Sequence, residues 1–145
     1  MSNVKSKSML SFFVPMKIPT VTQQEHKIST NKKGKPYMYD PPELKTARVK
    51  FRDSLIPFVP EIKFTGATRL MVKWLFPITG KHKAGDYKIT KPDTDNLIKM
   101  LKDVMTDLNF WTDDAIVCSE INEKFYNDIT GLYITIQDLD SLKGE

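Results

Sequence analysis

The chain has 145 residues, 40% hydrophobic and 28% charged, enough to bury the core of one soluble domain. With one cysteine (Cys118) and two histidines (His26 and His82), it lacks the material for a disulfide framework, a cysteine-based zinc site or a histidine-rich metal centre. The net charge of +4 conceals a division: residues 1–92 carry +12 and residues 93–145 carry −8. Unless folding mixes the two, one part suits a polyanion and the other a cation.

Lys5 and Lys7 precede a short apolar stretch from Met9 to Met16. It is too short for an export signal, holds Pro15 and lacks a small-residue cleavage site. Met9–Ile18 is instead read as a first strand, rich in Phe12, Phe13, Val14 and Ile18. No run approaches the roughly 18–20 apolar residues of a membrane span, so a cytoplasmic protein with no membrane partner is expected. Thr20–Asp40 is polar, with Lys32-Lys33-Gly34-Lys35-Pro36 at its centre, and is read as a long basic loop or loose hairpin. Residues 1–8 and 139–145 are expected to be flexible ends of a single domain spanning 1–145.

Pro41-Pro42 opens a helix whose buried stripe is Leu44, Ala47, Phe51 and Leu55, and Pro57 and Pro60 end it. Thr68–Phe76 alternates, with Leu70, Val72, Trp74 and Phe76 on one face, as a half-buried strand does. Lys81–Pro92 is a second basic loop, carrying Lys81, Lys83, Lys88 and Lys91. Leu97, Ile98, Leu101, Val104, Met105 and Leu108 then form one stripe at helical period. Ala115–Phe125 reads as a strand containing a buried Cys118. Leu132, Ile134 and Ile136 read as its hairpin partner across a turn at Asn127-Asp128.

The chemistry concentrates in Asp93-Thr94-Asp95-Asn96, where a loop enters the strongest helix, and in Trp111-Thr112-Asp113-Asp114 after it. Asp95 or Asn96 suits the helix N-cap, which accounts for one of these polar residues but not for two aspartates. A helix from Asn96 to Leu108 is about 20 Å long, so only the returning strand can carry Asp114 back toward Asp93. Carboxylates about 4 Å apart repel by about 4 kcal/mol at an effective dielectric of about 20, so convergent ones demand a cation. Oxygen ligands without histidine or cysteine select Mg²⁺ or Mn²⁺. Lys99, one turn after Asp95, is placed to steady a ligand or a phosphate, although Asp95-Lys99-Asp103 is equally a solvated ion ladder. An EF-hand is excluded, because Leu97 and Ile98 occupy the fifth and sixth positions counted from Asp93. Tyr37 and Tyr39 are available to stack on bases or simply to pack, and Trp111 is read as core.

Asp93-x-Asp95-Asn96, Lys99, Asp103 and Trp111-x-Asp113-Asp114, in that order and spacing, resemble the RusA family of Holliday junction resolvases. A weaker match is Lys33-Gly34-Lys35-Pro36-Tyr37 ahead of the first helix, and the order of elements from Met9 to Gln137 also fits. The resemblance implies a small α+β domain, a mixed sheet of about four strands packed with two helices. It implies a homodimeric, Mg²⁺-dependent (or Mn²⁺-dependent) endonuclease that cuts branched DNA by paired nicks in recombination and repair. It also assigns catalysis to Asp93, Asp95, Asp114 and Lys99, with Asp113 as a further candidate metal ligand. Pro92 departs from the pattern, since some members carry an arginine there; Lys91 is the nearest substitute. Residue chemistry nominates Lys32, Lys33, Lys35, Lys81, Lys83, Lys88 and Lys91 for phosphate contacts, and Phe12, Phe13, Leu75 and Phe76 for a dimer interface. The competing readings are a non-catalytic DNA-binding or regulatory module, and a nuclease for forks and flaps.

Overall fold

Strands with clean apolar alternation need cover on one face, and they take the centre of the sheet here. The computed structural model describes residues 8–20, 27–30, 36–39 and 42–142. Within them β1 (Met9–Pro15), α1 (Pro42–Leu55), β4 (Thr68–Pro77), α2 (Thr94–Asp107), β5 (Val117–Asn127) and β6 (Gly131–Asp138) form an α+β domain. Its four-stranded mixed sheet has the order β1-β6-β4-β5. The region expected as a long loop contains a small antiparallel ribbon, β2 (Lys27–Thr30) with β3 (Pro36–Tyr39). Lys32, Lys33 and Lys35 lie outside the described residues, as does the expected looseness of residues 1–7 and 143–145.

The hairpin expected between β5 and β6 does not form. β6 pairs antiparallel with both β1 and β4, while β5 runs parallel to β4 at the sheet edge. The register explains the choice. Three rows cross the helix-covered face: Leu10, Ile136, Leu70 and Glu120; Phe12, Ile134, Val72 and Asn122; Val14, Leu132, Trp74 and Lys124. Each row is apolar through three strands and polar on β5. Leu132, Ile134 and Ile136 are fully buried, and each is worth about 1.5–3 kcal/mol only where it is covered. The half-polar β5 therefore occupies the edge, which leaves Cys118 exposed rather than buried. Gly131 makes the entry of β6 possible: it has φ +150°, and a Cβ there would stand 2.2 Å from the Val14 carbonyl oxygen.

Both helices bury the stripes read from the sequence, except that Leu108, the C-cap of α2, is only half-buried. Met100, outside the expected stripe of α2, is buried as well. α2 packs against the sheet and against α1, to which the Arg48–Asp103 ion pair at 3.7 Å ties it. Phe12 and Phe76 belong to this core and not to an interface. Phe12 stacks on Phe58 at 4.8 Å between ring centroids. Phe13 and Leu75 remain half-buried on the opposite face of the sheet. Past β6 the chain, expected to loosen from residue 139, makes a 3₁₀ turn (Asp140–Leu142) and is tied back by the Leu139 N–H to the Ala67 carbonyl. Among the described residues no helix is long and apolar enough to cross a membrane.

Candidate active site

α2 begins one residue earlier than its first candidate cap. Asp93 is the N-cap, in extended conformation (φ −73°, ψ 144°), and its side chain makes no capping hydrogen bond. Neither Asp95 nor Asn96 is the cap, and Asp95 falls in the first helical turn. Two exposed carboxylates thus sit together at the positive end of the helix, where negative charge is favoured. Lys99 follows one turn later, also exposed, and among the described residues it makes no ion pair with Asp95. The solvated ladder is therefore not closed at its first rung.

The far end of α2 is shaped differently. Asn109 has φ +70°; its N–H reaches the Thr106 carbonyl, and the Phe110 N–H reaches that of Met105. This is the paired-bond termination in which a left-handed residue turns the chain sharply out of the helix. Trp111 is fully buried, as expected, and donates its indole N–H to Thr106 Oγ1 at 2.7 Å. Asp113 then caps a 3₁₀ turn (Asp114–Ile116), accepting from the Ala115 N–H. Asp114 is half-buried. Burial first, then the hydrogen bond and charge of neighbouring Asp113, raise its carboxyl above the ordinary value; Lys102 opposes the rise and Asp103 adds to it.

The charges that act on Asp114 include those of Asp113 and of the middle of α2. Lys102 lies seven residues after Asp95, about 10 Å along the axis. The returning strand does run back along α2, but it carries Glu120, Asn122 and Lys124 toward the acidic end instead of Asp114. Asp93 and Asp95 lie two residues apart at the start of α2, and Asp114 follows the helix in its own 3₁₀ turn. Among the described residues no group of three or more His, Cys, Asp or Glu side chains is spaced to hold a metal. The donors at the start of α2 are nevertheless hard carboxylate oxygens, exposed and not used as caps, which fits a Mg²⁺-type ion better than zinc.

The basic loop before α2 is anchored along β5. Gly85 N–H bonds Tyr126 O, Tyr126 N–H bonds Asp86 O, and Lys88 N–H bonds Lys124 O. His82 stacks on Tyr126 at 4.1 Å, and the hydrogen bond from Thr90 holds the Tyr126 hydroxyl below its ordinary pKa. The Lys88 ammonium sits over the Phe76 and Tyr126 rings and donates to Thr90 Oγ1 at 2.7 Å. Lys81, Lys83 and Lys91 are exposed.

Sequence reasoning missed the helix-side polar residues of β5. Glu120 pairs with Lys102, Asn122 accepts the Trp74 indole N–H at 3.1 Å, and the Lys124 ammonium bonds the carbonyls of Thr90 and Pro92. Their spacing of two along one strand was the available signal.

Free carboxylates at a helix start, beside exposed lysines on a small α+β domain, make the kind of site that handles a phosphodiester. Residues 17–137 match the family described as Endodeoxyribonuclease RusA. A protein of Lactococcus phage r1t, described as a crossover junction endodeoxyribonuclease RusA, is 34% identical over 101 residues, covering 68% of this chain and 74% of that protein. The chain belongs to the RusA family of endodeoxyribonucleases.

Proposed function

We propose that this protein is a Mg²⁺-dependent homodimer that resolves four-way DNA junctions by paired symmetric nicks, serving recombination and repair of DNA in the cytoplasm. The observation that carries the reading is Asp93 standing at the N-cap of α2 without using its carboxylate as a cap, two residues before an equally free Asp95. The description of the phage relative supports the substrate class.

In this reading Asp93 and Asp95 hold the cation, Asp114 supplies a further carboxylate and Lys99 offsets charge on the transferring phosphate. When bound there, Mg²⁺ polarises the phosphodiester and lowers the pKa of water. Asp113 is already engaged in shaping its turn, which makes it the weakest of the ligand candidates. Lys81, Lys83 and Lys91 neutralise phosphates, with Lys32, Lys33 and Lys35 as further candidates. A two-fold dimer supplies the two equivalent sites that two nicks need.

The test uses a plasmid carrying an extruded cruciform, with labelled fork and linear duplex as controls. Light scattering should give twice 16.7 kDa, and wild-type protein should give mostly linear plasmid. Mixed dimers of wild-type and Asp95→Asn chains should give nicked circles. Cleavage of the fork in preference to the junction would move the substrate assignment to forks and flaps. A monomer, or a mixed dimer that still linearises the plasmid, would overturn the paired-site mechanism.

A further inference from the structure

An aspartate at an N-cap ordinarily accepts a bond from the N–H of the second or third helical residue. Asp93 has the cap's backbone conformation and makes no such bond. Something else must hold the chain where it enters α2, and that is Lys124. Its ammonium, half-buried at the end of the row Val14, Leu132 and Trp74, donates to the carbonyl oxygens of Thr90 and of Pro92, the latter at 2.9 Å. Its backbone carbonyl also accepts the Lys88 N–H at 2.9 Å. One residue on the edge strand thus grips both ends of the segment 88–92, directly before Asp93.

Two of the three ammonium donors are committed to carbonyls, and among the described residues Lys124 makes no ion pair with Asp93. Its cation therefore steers the backbone and does not consume the carboxylate. We propose that Lys124 is a positioning residue: by clamping residues 90–92 it keeps the Asp93 carboxylate turned away from the helix amides and available, with Asp95, to a divalent cation. Without the clamp two carbonyls lose their donor, the segment relaxes, and Asp93 falls back into the ordinary capping bond. Cap and ligand compete for one carboxylate, and Lys124 decides between them. The proposal rests on the reading of Asp93 as a metal ligand.

The test measures Mn²⁺ binding to the full-length, DNA-free protein from the paramagnetic resonance signal of free Mn²⁺, together with exchange of the Asp95 and Asn96 amides. Asp93→Asn reports on the underlying reading, and Lys124→Met and Lys124→Arg report on the clamp. Lys124→Met should weaken Mn²⁺ binding by about 10–100-fold, the range typical of an outer partner that orients a ligand. It should also slow exchange at Asp95 or Asn96 as Asp93 becomes a cap, while Lys124→Arg restores most of the affinity. Wild-type affinity in Lys124→Met, with binding lost in Asp93→Asn, overturns the clamp alone. Wild-type affinity in both removes Asp93 from the metal site and the proposal with it. Should Lys124→Met fail to fold, Lys124→Gln, which keeps amide donors on a shorter, uncharged side chain, is expected to show a smaller loss, and wild-type affinity in it overturns the proposal equally.

Discussion

At its N-terminal end α2 is entered through an aspartate that gives the helix no side-chain bond, whereas at its C-terminal end Thr106 and Asp113 use their side chains, and Asn109 and Phe110 their N–H groups, in shaping the turn. Asn109, Thr106 and Asp113 spend their hydrogen-bonding capacity locally, and the result is a fixed exit toward Asp113-Asp114. Asp93 and Asp95 spend none locally, and the entry is held from outside by Lys124. Both ends of α2 carry paired aspartates, and the contrast between them lies in unused polar capacity, which on the proposed reading marks the functional end.

The sharpest way to break this comparison is Asp95→Asn. Single-turnover nicking of a four-way junction in Mg²⁺ should fall by more than about 100-fold, beyond what an outer-shell partner commands. Junction binding in a gel-shift assay should stay equal or tighten, because a carboxylate facing phosphates is removed. Near-normal nicking would show that the N-terminal acids are no more functional than those at the other end.

A second, smaller effect separates the lysines around that end. Replacing Lys81, Lys83 and Lys91 together by alanine should flatten the dependence of log affinity on log salt by about 2–3, at roughly 0.9 per phosphate contact. Lys88→Met should leave the slope unchanged, because that ammonium already rests on the Phe76 and Tyr126 rings. Equal slopes for all these variants would mean that the loop does not lie on DNA.

The smallest effect belongs to the C-terminal end. Asn109→Ala places a Cβ-bearing residue without a local hydrogen-bonding side chain at φ +70° and should cost about 1 kcal/mol in urea unfolding, while Asn109→Gly should be nearly neutral. Nicking per folded molecule should not change in either. A large catalytic loss in Asn109→Gly would show that this end does more than aim the chain.

Much of this architecture was legible because it depends on local periodicity. The apolar stripes of α1 and α2, the alternation of β4 and the burial of Trp111 all follow from side chains that need cover on one face. The placement of Asp95 and Lys99 was legible for the same reason, since residues four apart on a helix share a face. The pairing of β5 was not: both β5 and β6 read as strands, and a short connection suggests a hairpin. Only the rows across the whole sheet show that the apolar β6 belongs between β1 and β4.

The amino-acid sequence by itself determined the elements, the acidic motif and the family, because these reside in spacing along one chain. Tertiary structure alone decided that the charges of Lys102 and Asp103 act on Asp114, that Lys88 lies over two rings, and that Lys124 grips the loop before Asp93. The reason is physical: a strand's direction and neighbours are set by which of its faces the rest of the molecule can cover, and no window of local sequence contains that information.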